Sequence, residues 1–332
     1  MLKVMIAPSH LARLPGAFMD TLVDAKLELC YPQKQRQMTE EELFQEMPGM
    51  VFCLAGSEPY TRKVLNALPD LKVLARAGVG YDAIDVAAAT EKGIAVAIAP
   101  GTNQDAVTEH AFGMILCLAK NIITQHNKIK AGEWPRHANM PIRGATLGLV
   151  GLGRIGKAMA QRGQAFGMKV MAYEPYPDKA FIEKHGIKLT TLEEVLKNAD
   201  WVSLHLPSLP ESKHLINKKT LELMKPTAFL VNTARGAVVN EADLYEALKN
   251  KRIAGAALDV FDQEPPGPNP LITLDNVVIT AHTAGVDTLS RDDMAAMAAE
   301  VIARISRGDW PTECIVNPEV KGKFKWPSAT GD

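Results

Sequence analysis

The stretch GLVGLGRIGKAM at residues 148–159 carries three glycines in the spacing G-x-G-x-x-G, at Gly151, Gly153 and Gly156. The apolar segment 146–150 precedes them, and a helical pattern follows. In that strand–turn–helix context, the first glycine permits a tight turn, the second lets the backbone approach a pyrophosphate, and the third lets helix and strand pack closely. Free N–H groups at the helix N-terminus complete an anion site. The stretch therefore predicts the dinucleotide-binding turn of a doubly wound sheet.

A carboxylate stands at the end of the next predicted strand. The segment KVMAYEPY contains Glu174, eighteen positions after Gly156. A carboxylate there accepts hydrogen bonds from the adenosine ribose and repels the 2′-phosphate of NADP. The sequence therefore favours NAD as cofactor. The alternative is a solvated glutamate before a proline.

The glycine turn begins almost halfway along a chain of 332 residues, which is long enough for two domains. Strand-like and helix-like segments already alternate through the first hundred residues, and the strands are apolar enough for a sheet covered on both faces. We therefore predict an α/β protein with two doubly wound parallel-sheet domains. The strands predicted after the long central helix are 145–151, 168–173, 201–206, 228–234, 253–260 and 276–281.

Three further segments carry predictions of their own. Residues 103–131 are predicted to form one unusually long helix, apolar over much of its circumference. Such a helix needs more than one covering surface, so it is either a core helix between domains or a helix that also packs against a second subunit. With the arm that holds Trp134, it leads us to predict a homodimer. A last helix is predicted over about 289–307, and the tail from Lys321 is predicted to be solvated.

Composition excludes several classes of protein. The 37 basic and 38 acidic residues nearly balance and form no basic stripe, so a nucleic-acid partner is not expected. No apolar segment reaches membrane-spanning length, and the N-terminus has no signal-peptide pattern, which predicts a soluble cytoplasmic protein without a membrane partner. The cysteines lack a CxxC pair, which favours reduced thiols over disulfides or a metal site; they are Cys30, Cys53, Cys117 and Cys314.

Three titratable or charged residues each follow a predicted strand of the second sheet. Arg235 follows AFLVNTA, Glu264 follows AALDVFDQ, and His282 follows NVVITA. Ligands of open α/β sheets bind beyond the carboxyl ends of the strands, so the three side chains are predicted to converge beside the nicotinamide. Taken singly, each has a plainer interpretation: a structural histidine, a turn arginine and a loop glutamate.

Several motifs together resemble the D-isomer-specific 2-hydroxyacid dehydrogenase family, and within it the phosphoglycerate dehydrogenase branch. They are ARAGVGYDAIDV, GTNQDAVTEHAFGMIL, GLGRIG, YEPY, NTARGAVVNEADLYEALK, AGAALDVFDQEPP and TAHTAG. The resemblance spans roughly residues 40–318. It implies a Rossmann NAD-binding domain, 102–285, inserted into a discontinuous flavodoxin-like substrate-binding domain, 1–101 and 286–332. It also implies a site in the cleft between them, with hinges near Pro100 and Gly285.

The resemblance also implies a role for each site residue. Arg235 would bind the substrate carboxylate and polarise the carbonyl group. His282 would be the acid/base, and Glu264 would favour its protonated form and fix its ring. The backbone N–H groups of Gly78, Val79 and Gly80 would bind the substrate carboxylate. Further cofactor contacts are implied for Asp259, which would hold the nicotinamide carboxamide, and for Arg154, Ile155, Leu206 and Thr233.

The substrate implied is a small D-2-hydroxy acid or the matching 2-oxo acid, such as 3-phosphoglycerate, glycerate or hydroxypyruvate. Two departures from the branch bear on it. Thr-Ala-Gly follows His282, and Ala55 and Gly56 stand where phosphoglycerate-specific relatives tend to carry an arginine. An anionic tail would then depend on Arg76 or Arg136. The alternatives are an NAD(H)-sensing, corepressor-like binding protein on the same fold, and a formate or phosphite dehydrogenase.

Overall fold

The computed structural model describes residues 1–12 and 14–327. The chain divides into two compact units, 1–103 with 287–332, and 104–286. The chain passes from one unit to the other at residues 103/104 and 286/287, each within two residues of a predicted domain boundary. The substrate-binding role of the first unit stays a prediction.

Twelve strands form among the described residues, and most of them are short apolar segments. In chain order they are β1 Lys3–Ile6, β2 Glu28–Cys30, β3 Phe52–Ala55, β4 Val73–Arg76, β5 Ala95–Ala97, β6 Thr146–Val150, β7 Lys169–Tyr173, β8 Lys188–Leu189, β9 Trp201–Leu204, β10 Phe229–Asn232, β11 Gly255–Leu258 and β12 Val277–Ile279.

Twelve α-helices alternate with the strands in the same part of the chain. They are α1 Ala17–Asp24, α2 Glu40–Glu46, α3 Arg62–Asn66, α4 Val86–Glu91, α5 Gln104–Ala119, α6 Ile122–Lys130, α7 Arg154–Ala165, α8 Lys179–His185, α9 Leu192–Asn198, α10 Lys218–Leu221, α11 Glu241–Lys249 and α12 Thr288–Ser306. Side-chain caps begin most of them: Thr39 and Glu42 form a capping box at α2, and Asp287 and Ser290 form one at α12.

Each unit contains one sheet, and every pairing between the strands above is parallel. The first sheet has the order β2-β1-β3-β4-β5, and the second has the order β12-β11-β10-β9-β6-β7-β8. The first is the flavodoxin-like order, and the second is the Rossmann order with one further strand at its edge. The predicted fold class is confirmed.

The faces of both sheets are covered, because two hydrophobic clusters lie in each unit. In the first unit, α12 packs against α1, β3 and β4, so a segment from the end of the chain completes a core begun by its start. In the second unit, β6 and β9 lie side by side at the centre of the sheet. The glycine turn that follows β6 is therefore held at the middle of the carboxyl edge.

The long helix predicted over 103–131 is broken, and this prediction was wrong. It forms α5 and α6, whose axes differ by 59°. Asn121 adopts a left-handed conformation with φ of 50°, which asparagine tolerates better than most residues. The carbonyl groups freed at the end of α5 find other partners: the Met140 N–H donates to Ala119 O, and Gln125 Nε2 donates to Lys120 O. One local and one long-range hydrogen bond thus compensate the break.

The C-terminal segment also differs from the prediction. The chain was expected to be solvated from Lys321, and residues 321–323, 325 and 326 are exposed, but a short 3₁₀ helix covers Pro318–Lys323 and Phe324 is buried. The Phe324 ring packs edge-on against Trp310 and Trp326. Aromatic contacts therefore hold this segment on the core of the first unit. The part of the predicted tail from residue 328 onward lies outside the described residues.

The strands of the second unit differ from the prediction in length and in number. The six strands predicted in the second unit are present as β6, β7, β9, β10, β11 and β12, each shorter than predicted. The strand β8 was not predicted, because its two residues, Lys188 and Leu189, are exposed and carry no apolar alternation.

Within the described residues, no single helix has the length and apolarity to cross a membrane, although α5 and α6 pass that test when taken together.

Candidate active site

The glycine turn has the geometry that its sequence predicts. Gly151 adopts φ of 100°, and a Cβ atom there would lie 2.5 Å from the His205 carbonyl oxygen. At Gly156 a Cβ would lie 2.2 Å from the carbonyl oxygen of Gly151, so the start of α7 sits against the turn. A Cβ at Gly153 would meet no atom within 4 Å. The open space beside Gly153 is where the backbone can receive a pyrophosphate.

The N-terminus of α7 differs from those of the four helices that follow it in the second unit. Asp178, Thr191, Asn217 and Asn240 cap the helices α8 to α11 through their side chains. No side chain caps α7, which starts at Arg154 and Ile155. The first N–H groups of a helix need acceptors, and a phosphate supplies them together with the negative charge that the helix dipole favours.

Glu174 lies beside the glycine turn. Its Oε2 accepts a hydrogen bond of 2.7 Å from the Leu152 N–H, and its Oε1 accepts one of 2.9 Å from the Tyr176 N–H. The carboxylate is thus fixed between the turn after β6 and the end of β7. The predicted contact of Glu174 with the adenosine ribose stays a prediction.

Two groups at the carboxyl edge of the sheet carry buried polar atoms for which the described residues provide no partner. Thr233, directly after β10, has such an atom in Oγ1, and His205, directly after β9, has one in Nδ1. Burial lowers the pKa of His205 to about 3, so this ring is neutral. Its Nε2 is 2.9 Å from Ser203 Oγ. Together with the adjacent Leu206, these residues fit a surface completed by a polar ligand.

The turn that carries Arg235 is braced from two sides. Asn232, almost fully buried, donates from Nδ2 to the Arg235 carbonyl oxygen and accepts from the Ala234 N–H. A Cβ on Gly236 would lie 1.9 Å from the Phe261 carbonyl carbon. Only glycine lets the loop after β11 approach this closely. The Arg235 turn is therefore locked against the loop that leads to Glu264.

Glu264 and His282 form a direct pair. The Glu264 Oε2 to His282 Nδ1 distance is 2.6 Å, and Glu264 Oε1 accepts from the Phe261 N–H at 3.0 Å. Burial alone would raise the pKa of Glu264. The hydrogen bonds from His282 and Phe261, with the charges of His282 and Arg235, outweigh it and lower that pKa below its usual value. A charged carboxylate thus faces the imidazole and leaves its Nε2 for other partners.

Asp259 fixes the loop that carries His282. Its side chain is 1 % exposed; Oδ1 accepts from the Thr283 N–H, and Oδ2 accepts from the Ala284 N–H, each at 2.9 Å. The Asp259 carbonyl oxygen accepts from the His282 N–H at 2.8 Å. These bonds hold His282 in a left-handed conformation, with φ of 53°, that costs about 1 kcal/mol or more. The predicted contact of Asp259 with the nicotinamide stays a prediction.

The remaining predicted substrate residues belong to the first unit. Gly78, Val79 and Gly80 follow β4, and the Gly78 carbonyl oxygen accepts from the Ala99 N–H at 2.9 Å. Within the described residues, the N–H groups of Val79 and Gly80 have no protein acceptor. Arg76, at the end of the same strand, donates from Nη2 to Ser57 Oγ at 2.9 Å. Their roles in substrate binding stay predictions.

Metal ligands do not cluster in the part of the chain that is described: no group of three or more His, Cys, Asp or Glu side chains is placed to hold an ion. The four cysteines are free thiols.

Sequence reasoning missed several supporting residues of this site. Asn232, His205 and Thr280 are polar residues at or directly after the ends of strands. Their positions after apolar segments could have indicated them from the sequence. His110 lies inside an apolar helix and gave no such signal. Its contact with Thr280 joins two elements 170 residues apart.

Comparison with known proteins agrees with this geometry. Residues 112–284 match the NAD binding domain of the D-isomer specific 2-hydroxyacid dehydrogenases. The chain belongs to that family. The match covers most of the second unit, so the glycine turn and the Glu264–His282 pair lie within the family's NAD-binding domain.

Relatives within the family carry different names. D-3-phosphoglycerate dehydrogenase of Methanocaldococcus jannaschii is 40 % identical over 296 residues, which are 87 % of this chain and 56 % of that protein. Glyoxylate reductase of Korarchaeum cryptofilum is 40 % identical over 271 residues, 80 % of this chain and 81 % of the other. The chain thus spans about half the length of the first relative and about four-fifths of the second.

A solved structure gives the same picture of the fold. The D-lactate dehydrogenase of Aquifex aeolicus, in complex with NAD and lactic acid, is 29 % identical and superimposes with a TM-score of 0.82 over 95 % of this chain and 99 % of that chain.

Proposed function

We propose that this chain is an NAD-dependent oxidoreductase that transfers a hydride between the nicotinamide and C2 of a small D-2-hydroxy acid or 2-oxo acid. The observation that carries the proposal is the 2.6 Å contact between Glu264 and His282, with the charge of Arg235 acting on the same carboxylate. An acid/base beside a carboxylate, with a guanidinium nearby, is suited to a substrate that carries both a carbonyl and a carboxylate.

In this proposal the bound nicotinamide supplies or accepts the hydride at C2. His282 transfers the matching proton at Nε2, because Glu264 engages its Nδ1. During reduction the proton passes from Nε2 to the carbonyl oxygen, which becomes the hydroxyl group. During oxidation it returns to neutral imidazole. Arg235 binds the carboxylate and orients the carbonyl group, and Glu264 stabilises the imidazolium charge.

NAD is the proposed cofactor in preference to NADP. The Glu174 carboxylate, held by two backbone N–H groups beside the glycine turn, would meet a 2′-phosphate with like charge. The uncapped N-terminus of α7 and the space beside Gly153 support pyrophosphate binding at the same edge.

The substrate class rests partly on the relatives. Their names include D-3-phosphoglycerate dehydrogenase and glyoxylate reductase, and the related solved structure contains lactic acid. We propose small 2-oxo acids such as hydroxypyruvate, and the corresponding D-2-hydroxy acids, glycerate and 3-phosphoglycerate among them. We further propose that the chain is a homodimer that pairs through α5, α6 and the following arm.

The decisive experiment is a panel of 2-oxo and 2-hydroxy acids, each assayed with NADH or NAD and with NADPH or NADP. Turnover of at least one D-isomer, faster with NADH or NAD, is expected. Tight NADH binding without turnover of any acid would contradict the enzyme and favour a sensor. Formate and phosphite belong in the same panel, since oxidation of either alone would replace the proposed substrate class.

A further inference from the structure

His110 connects the helix α5 to the carboxyl end of the second sheet. Its Nε2 is 3.0 Å from Thr280 Oγ1, and Thr280 directly follows β12. The same nitrogen is 3.7 Å from Asp259 Oδ1. The helix is well anchored, because α5 packs against β11 and β12 and the neighbouring Ala111 is fully buried. His110 thus lies on a well-packed helix and contacts Thr280 and Asp259.

The direction of each hydrogen bond follows from proton counting. Thr280 Oγ1 lies 2.5 Å from Asp259 Oδ1, which is a carboxylate oxygen and can only accept. The other acceptor near this hydroxyl, Met114 Sδ, is 3.9 Å away and weak. Thr280 therefore donates its single hydroxyl proton to Asp259 Oδ1. As a result, His110 must donate from Nε2 to Thr280 Oγ1. Donation by His110 polarises the hydroxyl and strengthens its bond to the carboxylate.

Asp259 connects the Thr280 hydroxyl to the loop that carries His282. Its two carboxylate oxygens accept from the N–H groups of Thr283 and Ala284, and its carbonyl oxygen accepts from the His282 N–H. A rotation of the Asp259 side chain would release both loop amides. Two further atoms contact Asp259 Oδ1 and oppose such a rotation: Thr280 Oγ1 at 2.5 Å and His110 Nε2 at 3.7 Å.

We propose that His110 is a positioning residue for the acid/base: through Thr280 and Asp259 it holds the left-handed turn that aims His282. The inference rests on the proposed function for its kinetic consequence, but its structural content, a clamp from α5 to the loop, is independent of any substrate. Loss of the clamp shifts the imidazole relative to the reacting carbonyl group, and small shifts at a reacting centre reduce the chemical step strongly.

The test compares His110→Phe and Thr280→Val with the double variant, in the full chain. Phe removes the donor and keeps a ring, and Val removes the hydroxyl and keeps the shape. We expect each single variant to lower kcat for reduction by roughly 10-fold to 100-fold, with KM for the 2-oxo acid nearly unchanged. The double variant should be no worse than the more damaged single one, because both break the same chain of contacts.

His110→Gln serves as the conservative variant, since its amide nitrogen can donate to Thr280, and it should restore most of kcat. His185→Phe is the matched control: this histidine ends α8 and packs its ring against Phe181, so its kcat should equal that of the wild type. Additive losses in the double variant, or wild-type kcat in His110→Phe, would overturn the proposal.

Amide hydrogen exchange tests the structural clamp from α5 to the loop independently of the proposed enzymatic function. The amides of His282, Thr283 and Ala284 should exchange faster in His110→Phe than in the wild type, without any substrate present. Unchanged exchange overturns the clamp, even if the enzyme is active. Faster exchange in a chain that turns over no 2-oxo acid would instead support the clamp and count against the proposed function.

Discussion

At the scale of single residues, Glu264 and His282 form a partly exposed pair of a carboxylate and an imidazole. The glutamate receives a backbone N–H and stays charged at pH values below its usual range, because its hydrogen bonds and neighbouring charges together outweigh burial. The histidine side chain is about half exposed, at 48 %. The pair thus has a fixed charged member and a member that can exchange protons with a ligand.

Replacing His282 with Asn tests the proton transfer. Asn keeps a polar side chain but carries no exchangeable proton in the useful range, so turnover should fall by roughly 10²-fold to 10⁴-fold. NADH affinity, measured by fluorescence titration, should stay nearly unchanged, because the dinucleotide is expected to rest on the glycine turn. Near-normal turnover would mean that His282 is a structural residue.

Glu264→Gln tests the electrostatic half of the pair. Because the Glu264 pKa is lowered, the carboxylate is ionised throughout the neutral range, and its charge stabilises imidazolium there. The amide removes that charge. Reduction, which needs imidazolium, should therefore fail at a lower pH than in the wild type, and oxidation should extend to more acidic conditions. Rate profiles against pH in both directions measure this; coinciding wild-type and variant profiles would exclude the electrostatic role.

At the scale of elements, the turn after β10 depends on a backbone approach that only glycine allows. In Gly236→Ala the new Cβ would clash with backbone atoms of Phe261 and Asp262, so we expect a loss of about 1–3 kcal/mol in the free energy of unfolding and a marked loss of activity. Gly322→Ala is the matched control. Gly322 is exposed with no atom within 4 Å of a Cβ, so this change should alter the free energy of unfolding by less than about 0.5 kcal/mol. Urea unfolding of both variants measures the contrast, and equal effects would refute it.

The helix α2 carries a pH-dependent cap. Hydrogen bonds from Lys34, the Thr39 N–H and Arg36 lower the pKa of Glu42 to about 2. A carboxyl group whose pKa is lower in the folded chain stabilises it above the unfolded value, near 4.5, and that stability disappears as the pH falls toward 2. Glu42→Gln should therefore weaken the pH dependence of the unfolding midpoint between about 4.5 and 2. An unaltered slope there would contradict this assignment, and Glu41→Gln on the exposed side is the control.

At the scale of the whole molecule, the broken helix leaves an apolar surface. Ile122, Ile123 and Ile129 on α6 are each about half exposed, and Trp134 in the following arm is 76 % exposed. Several large apolar side chains exposed within one short segment favour an interaction site. We therefore expect a homodimer at micromolar concentration in sedimentation velocity, and a monomer for Ile123→Asp. A wild-type monomer at that concentration would overturn the prediction.

The sequence predicted features that depend on neighbouring residues. The glycine turn, the alternation of apolar strands and helices, and the two parallel sheets all follow from patterns shorter than about twenty residues. Glu174 was predicted as a ribose contact in the same way, because its distance from Gly156 is set by one strand–helix–strand unit. The positions of the strands were correct, and their lengths were overestimated because apolar residues continue beyond the hydrogen-bonded pairs.

Other features were decided by contacts between distant segments. The break between α5 and α6 is compensated by Met140, the C-terminal segment is held by Trp310, and His110 meets Thr280 across 170 residues. Side chains after different strands meet only when sheet order and register bring the strand ends to one edge. Local patterns thus determined the fold class and the dinucleotide turn. Only the tertiary structure decided the 2.6 Å pairing of Glu264 with His282 and the bonds that hold its loop, because hydrogen bonds require positions accurate to a few tenths of an ångström.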